Sequence, residues 1–422
     1  MTTIGYAGMS HLGLVSAVAA AERGFRTVAY DADAALVARL GRGELPVTEP
    51  DLDAMTARNA ARLTFTARLG DLKACDVVYV ARDVPTDDRG QSDLGPIDAL
   101  IRDVRPHLKK GAALVVLSQV TPGFTRARMA AGLVLYYQVE TLIFGRAVER
   151  ATKPERSIVG CADPAQPLHK GLAEFLGAFG CPILPMRYES AELAKTAINL
   201  CLVASIGVAN TLADLSERIG ADWSEIVPSL RLDRRIGPYS YIVPGLGIAG
   251  GNLERDLATI IGLCDRSGAD AGILRAQIAN NRRRADWALQ VLARRLAPGP
   301  AVKLAVLGLA YKENTHSTKN SPSLALLKAI PNLAVRAYDP VVAPTAAMHP
   351  NATRCFSALQ ACEEADAVAV MTPWPEFRRI NPVLLGATLK GRLAIDPFAV
   401  LDRRQMARYG FEHHVLGAPS VA

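Results

Sequence analysis

The feature that most constrains the fold is a strand–turn–helix–strand unit at the start of the chain. Thr3-Ile4-Gly5-Tyr6-Ala7 is a short apolar run, and Gly8-Met9-Ser10-His11-Leu12-Gly13 is a glycine-framed turn. An alanine-rich helical stretch from Leu14 to Arg23 then ends at Gly24, a residue type suited to a helix C-terminus. Thr27-Val28-Ala29-Tyr30 is a second strand pattern, closed by Asp31. Two parallel strands joined through a helix form a βαβ unit. The pattern recurs, with buried strand runs at 76–81 and 113–118. Such alternation predicts a parallel, doubly wound sheet.

The middle of the chain differs. From about Glu189 to Ile219 there is no proline and little glycine, and Leu193, Ala197, Leu200, Ala204, Val208, Leu212 and Leu215 recur at helical spacing. This predicts one long helix that connects domains or forms a subunit interface; an intramolecular core would use the same spacing. More helix is expected to about Leu296, and Ala297-Pro298-Gly299-Pro300 marks a boundary. Strand patterns then resume at 302–307, 334–338, 367–371 and 393–395. The expected plan is three domains, residues 1–186, 187–297 and 298–422. It is an α/β chain with two doubly wound domains joined by a helical centre.

Composition excludes several classes. Basic residues number 48 against 41 acidic ones, but they are scattered rather than gathered in a stripe, which argues against nucleic acid as a partner. Seven cysteines with no CxxC pair and no zinc spacing exclude a disulfide scaffold and a metal site. No run of about 18 uninterrupted apolar residues appears, so no membrane span is expected. The N-terminus has no basic leader. A cytoplasmic protein is the resulting expectation.

Ligands of a parallel sheet bind at the carboxyl ends of its strands. The first turn reads Gly8-x-Ser10-x-x-Gly13, where a dinucleotide fingerprint has three glycines. Gly8 permits the tight turn and Gly13 close helix–strand packing. Ser10 either donates to a phosphate or displaces it; the sequence leaves both open. Asp31 suits a ribose diol and favours NAD over NADP by charge repulsion.

Several segments together resemble the UDP-glucose/GDP-mannose dehydrogenase family, over essentially the whole chain. Gly43-Glu44-Leu45-Pro46-Val47-Thr48-Glu49-Pro50 is similar to its G-E-x-P-x-x-E-P loop. Glu189-Ser190-Ala191-Glu192-Leu193-Ala194-Lys195, with Asn199, resembles its E-[ST]-A-E-L-x-K-x-x-x-N helix. Leu232-Asp233-Arg234-Arg235-Ile236-Gly237, Gly308-Leu309-Ala310-Tyr311-Lys312, Tyr338-Asp339-Pro340 and Thr372-Pro373-Trp374 resemble further stations. The resemblance implies two Rossmann-like domains around a helical one. It also implies NAD as cofactor, a nucleotide sugar as substrate and a homodimer. Cofactor contacts would come from Gly8, Ser10, His11, Leu12, Gly13, Asp31, Pro85 and Ser118. Substrate contacts would come from Arg235, Gly250 and Lys312, with Arg235 reaching across the dimer. Family members oxidise a primary alcohol twice, through a cysteine thiohemiacetal and thioester.

The chain departs from this pattern where the thioester would form. The family's G-x-G-x-G-G-S-C-F-x-K-D loop reads Gly245 to Asp256, with Asn252 at the cysteine position. A side-chain amide cannot replace a thiolate nucleophile. Cys264, the nearest other cysteine, is expected on a core helix. Phe144 replaces a second carboxylate in the segment that retains Glu140. Val84 replaces a threonine beside Asp83, Gln119-Val120 alters S-T-V-P, and Phe398 replaces an arginine. Lys195, Asn199, Asp256 and Glu140 survive and fit the first oxidation. The leading expectation is a two-electron oxidation that stops at an aldehyde or ketone. A redox-neutral epimerase with bound NAD and a non-catalytic binding protein are the alternatives.

Overall fold

The computed structural model describes residues 2–85, 87, 92–249, 252–296 and 302–420, with the side chain of Asn252 excepted. The chain forms two compact units, Met1–Ile198 and Asn199–Ala422.

The first unit is built on an eight-stranded sheet. Its strands are β1 (Thr3–Ala7), β2 (Arg26–Tyr30), β3 (Leu63–Thr66), β4 (Val77–Val80), β5 (Ala113–Val116), β6 (Val134–Gln138), β7 (Ser157–Cys161) and β8 (Ile183–Arg187). The order is β3-β2-β1-β4-β5-β6-β7-β8. Ala7 pairs with both Tyr30 and Val80, so three strands end side by side. One apolar cluster, including Ile4, Leu14, Val18 and Phe175, covers one face, and another, including Val78, Val80, Ile97 and Val116, covers the other. Burial on both faces explains why these strands read as unbroken apolar runs.

One expectation needs correction. The sheet is not wholly parallel, because β7 runs antiparallel to β6. The segment between them, with its helix Ala147–Thr152, therefore begins and ends at the carboxyl edge of the sheet instead of crossing it. That keeps Glu140 at the edge where a ligand of the sheet would sit.

The first turn shows why its glycines are needed. Gly8 adopts φ +95°, and its N–H donates to the Tyr30 carbonyl at 2.9 Å. A Cβ on Gly13 would lie 1.7 Å from the Gly8 carbonyl oxygen and 2.8 Å from that of Ala81. The helix His11–Glu22 can approach the strands only because that position is bare.

The second unit holds a six-stranded, all-parallel sheet of β9 (Lys303–Leu307), β10 (Ala334–Tyr338), β11 (Ala352–Arg354), β12 (Ala367–Val370), β13 (Leu393–Ile395) and β14 (Glu412–His414). The order is β11-β10-β9-β12-β13-β14. Gly308 repeats the first turn, with φ +96° and an N–H to the Tyr338 carbonyl at 2.8 Å. Asp339, at the end of β10, accepts from Leu309 N, Ala310 N and Trp374 Nε1 on one oxygen and from Val341 N and Val342 N on the other. Four helices of this unit precede the sheet: Trp223–Leu232, Asn252–Ser267, Gly272–Ala285 and Trp287–Arg295.

The long helix runs from Tyr188 to Ile219. By length and composition it is the one described helix that could cross a membrane, although polar residues interrupt its apolar run. Most of its apolar stripe is not an intramolecular core: Leu193, Val208, Leu212 and Leu215 are exposed, whereas Leu200 packs against the cluster of Val203, Ile248 and Leu257. The opposite face is buried through Ala191, Glu192, Thr196, Val203, Ala209 and Ala213.

The glycine contacts make a paired prediction. Gly13→Ala should cost about 3 kcal/mol or prevent folding, as overpacking against backbone does. Gly24→Ala, at φ +90° with open space around it, should cost only about 1–2 kcal/mol from left-handed strain. Chemical denaturation of both variants checks the difference.

Candidate active site

The dinucleotide turn is held by carboxylates from distant segments. Asp31 Oδ2 accepts from Met9 N at 2.7 Å and Oδ1 accepts from Asp33 N at 3.0 Å. Each oxygen keeps a second lone pair, so the expected ribose contact stays chemically open. Ser10 Oγ accepts from Asp83 N at 2.8 Å, and the Asp83 carboxylate lies 3.4 Å from Leu12 N. The Ser118 hydroxyl is fully buried. It donates to the Arg82 carbonyl at 2.6 Å and accepts from Arg82 N at 3.0 Å, so it anchors the loop after β4. Pro85 is exposed on that loop.

His11 also faces protein. Its Nε2 lies 2.9 Å from buried Glu49, and its ring stacks on Phe144 at 4.3 Å. Glu49 further accepts from Gly145 N at 2.9 Å and Ala147 N at 3.0 Å. The G-E-x-P-x-x-E-P loop is thereby pinned to the segment after β6. The frame of the turn fits a dinucleotide: the bare Gly13 and left-handed Gly8 form the cradle. The Asp83 carboxylate adds a negative charge at its mouth.

Beyond the turn, the first unit brings Glu140 and Lys195 together. Their Oε1 and Nζ lie 2.9 Å apart, with side chains only 17% and 11% exposed. Glu140 also accepts from Leu142 N at 2.9 Å. Near the start of the long helix, fully buried Glu192 accepts from Gly123 N at 2.6 Å and Thr125 N at 2.8 Å. Burial raises its pKa despite those donors.

In the second unit, Asn199 Nδ2 donates to Asp256 Oδ2 at 2.5 Å. Arg255, at the position of the family's lysine, approaches Asp256 Oδ1 at 3.2 Å. Both Asp256 and Arg255 are buried, and Asn199 follows Lys195 by one turn of the same helix. Asn252 begins the helix Asn252–Ser267. Its side chain, like Gly250, lies outside the described residues. Arg235 is exposed and forms a two-pronged pair with Asp233. The Lys312 ammonium lies 5.7 Å from the Tyr311 ring.

Burial pushes Cys75 and Cys362 up to about 12, and it also raises Cys161 and Cys355. Cys264 is half-buried on its helix rather than in the core, and Cys201 is exposed on the long helix.

With this geometry in hand, comparison with known proteins places the chain. Three profiles of the UDP-glucose/GDP-mannose dehydrogenase family match it: the NAD binding domain over residues 2–170, the central domain over 189–283 and the UDP binding domain over 305–403. The chain belongs to the UDP-glucose/GDP-mannose dehydrogenase family. UDP-glucose 6-dehydrogenase of Pseudomonas aeruginosa is 32% identical over 98% of this chain and 96% of that protein. UDP-glucose 6-dehydrogenase TuaD of Bacillus subtilis is 28% identical over 100% and 94%. Among solved structures, UDP-glucose dehydrogenase from Pyrobaculum islandicum superposes with a TM-score of 0.81 at 26% identity, over 95% of this chain and 96% of that one. UDP-D-ManNAc dehydrogenase from Pyrococcus horikoshii gives 0.83 at 25%, over 99% of both. The family's cofactor is NAD, and its members are oxidoreductases acting on an alcohol carbon of a nucleotide sugar.

Sequence reading missed three organising residues in this family member. Glu49 and Glu192 lie inside family motifs that give them no role, and Asp83 has no sequence signal beyond its place beside Val84. Their partners lie 38 to 98 positions away, so no local pattern marks them.

The thiol environments predict a labelling order. At pH 8, iodoacetamide should leave Cys75 and Cys362 unmodified in the native protein and label them only on unfolding. Peptide mass mapping of the alkylated protein reads this directly.

Proposed function

We propose that this protein oxidises a sugar carbinol of a nucleotide sugar to an aldehyde or ketone, with one NADH formed per product. The observation that carries the reading is the Lys195–Glu140 pair, held at 2.9 Å and largely shielded from water. An ammonium beside a carboxylate can stabilise developing alkoxide charge while the acid takes the hydroxyl proton, directly or through a water. When bound, the nicotinamide supplies the hydride acceptor. The Asn199–Asp256 pair is assigned the positioning part that the family pattern implies.

Stopping after two electrons is supported by the sequence at Asn252. A thioester needs a thiolate, and an asparagine amide provides none. The substrate's nucleotide and sugar follow from the family only as a class, because several recognition positions differ.

We further propose a homodimer through the exposed stripe of the long helix. Leu193, Val208, Leu212 and Leu215 share this face with Cys201, and Leu232, Tyr239 and Val243 add exposed apolar surface elsewhere in the second unit. An apolar surface of this kind is a usual interface signature. Iodoacetamide labelling of Cys201 should slow as protein concentration rises; a rate independent of concentration would count against pairing through this face.

The central test supplies purified protein with NAD and a panel of UDP-, GDP- and dTDP-sugars, and follows NADH and product mass together. One NADH and a product two hydrogens lighter are expected. Two NADH and an acid would overturn the two-electron reading. No NADH would favour the epimerase or the binding protein, and solvent deuterium in the recovered sugar would separate those. Lys195→Met should lower turnover by about 10²- to 10⁴-fold and leave NAD affinity within two-fold of wild type.

A further inference from the structure

The helix His11–Glu22 is 12 residues long, and its first turn carries no acidic residue. Its N-cap, Ser10, makes no side-chain bond to the helix it caps. The hydroxyl is turned instead toward the loop after β4, where it accepts the Asp83 N–H at 2.8 Å. Asp83 answers with its carboxylate, 3.4 Å from the Leu12 N–H in that first turn. The two residues form a reciprocal clasp across the helix end.

A helix N-terminus carries unsatisfied N–H groups and a partial positive charge. In a dinucleotide-binding βαβ unit this is where the pyrophosphate is received. The Asp83 carboxylate therefore stands where an anion of the ligand would be drawn. Two residues that look unrelated in the sequence, the serine at the middle-glycine position and an aspartate 73 positions later, meet in one contact. The loop that carries Asp83 has a separate anchor, because Ser118 holds Arg82 by both its N–H and its carbonyl. Arg82 and Asp83 are both exposed, so the carboxylate can rotate toward solvent without disturbing packed side chains.

We infer that Asp83 is an internal competitor for the cofactor's pyrophosphate, and that the Ser10–Asp83 clasp must open before the dinucleotide can seat. The inference rests on NAD occupying this turn. The carboxylate repels the pyrophosphate and engages a donor the phosphate would use, so both effects weaken binding in the same direction. Adenosine, which has no phosphate, does not meet this competition.

The test is calorimetric titration of NAD, ADP-ribose and adenosine into full-length wild type, Asp83→Asn and Asp83→Gly, with a thermal melt of each protein. Asp83→Asn keeps the size of the side chain and removes its charge. It should tighten NAD and ADP-ribose about ten-fold, equivalent to about 1.4 kcal/mol, and Asp83→Gly should tighten them at least as much. Adenosine should move less than two-fold, and Asp83→Asn should melt with wild type. Ser10→Gly, which removes the acceptor seating Asp83, should shift NAD in the same direction. NAD binding that is equal or weaker in both Asp83 variants would overturn the inference while leaving the NAD assignment intact. If NAD binds none of the proteins, the NAD assignment fails and the inference fails with it.

Discussion

The contact on which the rest of the first unit depends is the one between the bare Cα of Gly13 and the carbonyl of Gly8. A single added carbon would fall 1.7 Å from that oxygen. Because nothing intervenes, the first helix sits close to the carboxyl ends of β1 and β4. Leu12 N, Ser10 Oγ and Met9 N then come within reach of Asp31, just after β2, and of Asp83 in the loop after β4. The close approach follows from steric volume alone, and the polar contacts are its consequence.

Around that turn, acids organise backbone. Glu49 gathers Gly145 N, Ala147 N and His11; Glu192 gathers Gly123 N and Thr125 N; Asp31 gathers Met9 N and Asp33 N. Carboxylates that accept N–H groups fix loops that have no strand or helix ladder of their own. Glu140 differs, since a lysine ammonium faces it as well as the backbone N–H of Leu142. A charged acid facing a charged amine in partial shelter is the arrangement suited to moving a proton.

Strands β1, β2, β4 and β5 of the first sheet, β9, β10, β12 and β13 of the second, both glycine turns and the long helix were legible because their signals are local. Alternation, φ-permissive glycines and helical spacing need no knowledge of distant segments. The direction of β7 was not legible, since strand polarity depends on how a connection returns and leaves no mark in an apolar run. Ser118 illustrates a different limit. Its place in a family motif pointed to the cofactor, and the structure shows its hydroxyl engaged with Arg82. The stripe from Leu193 to Leu215 was read correctly as a helix face. Whether that face turned inward or outward could not be read, because burial is a property of the neighbours. Lys195 and Glu140 were named together only through the resemblance; their separation of 55 positions carries no spacing rule.

The repeated turn in the second unit has a consequence for what each half can recognise. Asp31 and Asp339 occupy equivalent strand ends, but they differ in acceptor capacity. Two N–H groups engage Asp31, whereas five donors converge on Asp339. A carboxylate offers about four lone-pair sites, so Asp339 is saturated by its own domain and has nothing left for a diol. The same backbone design therefore leaves acceptor capacity on the carboxylate in one half and forms a closed internal joint in the other.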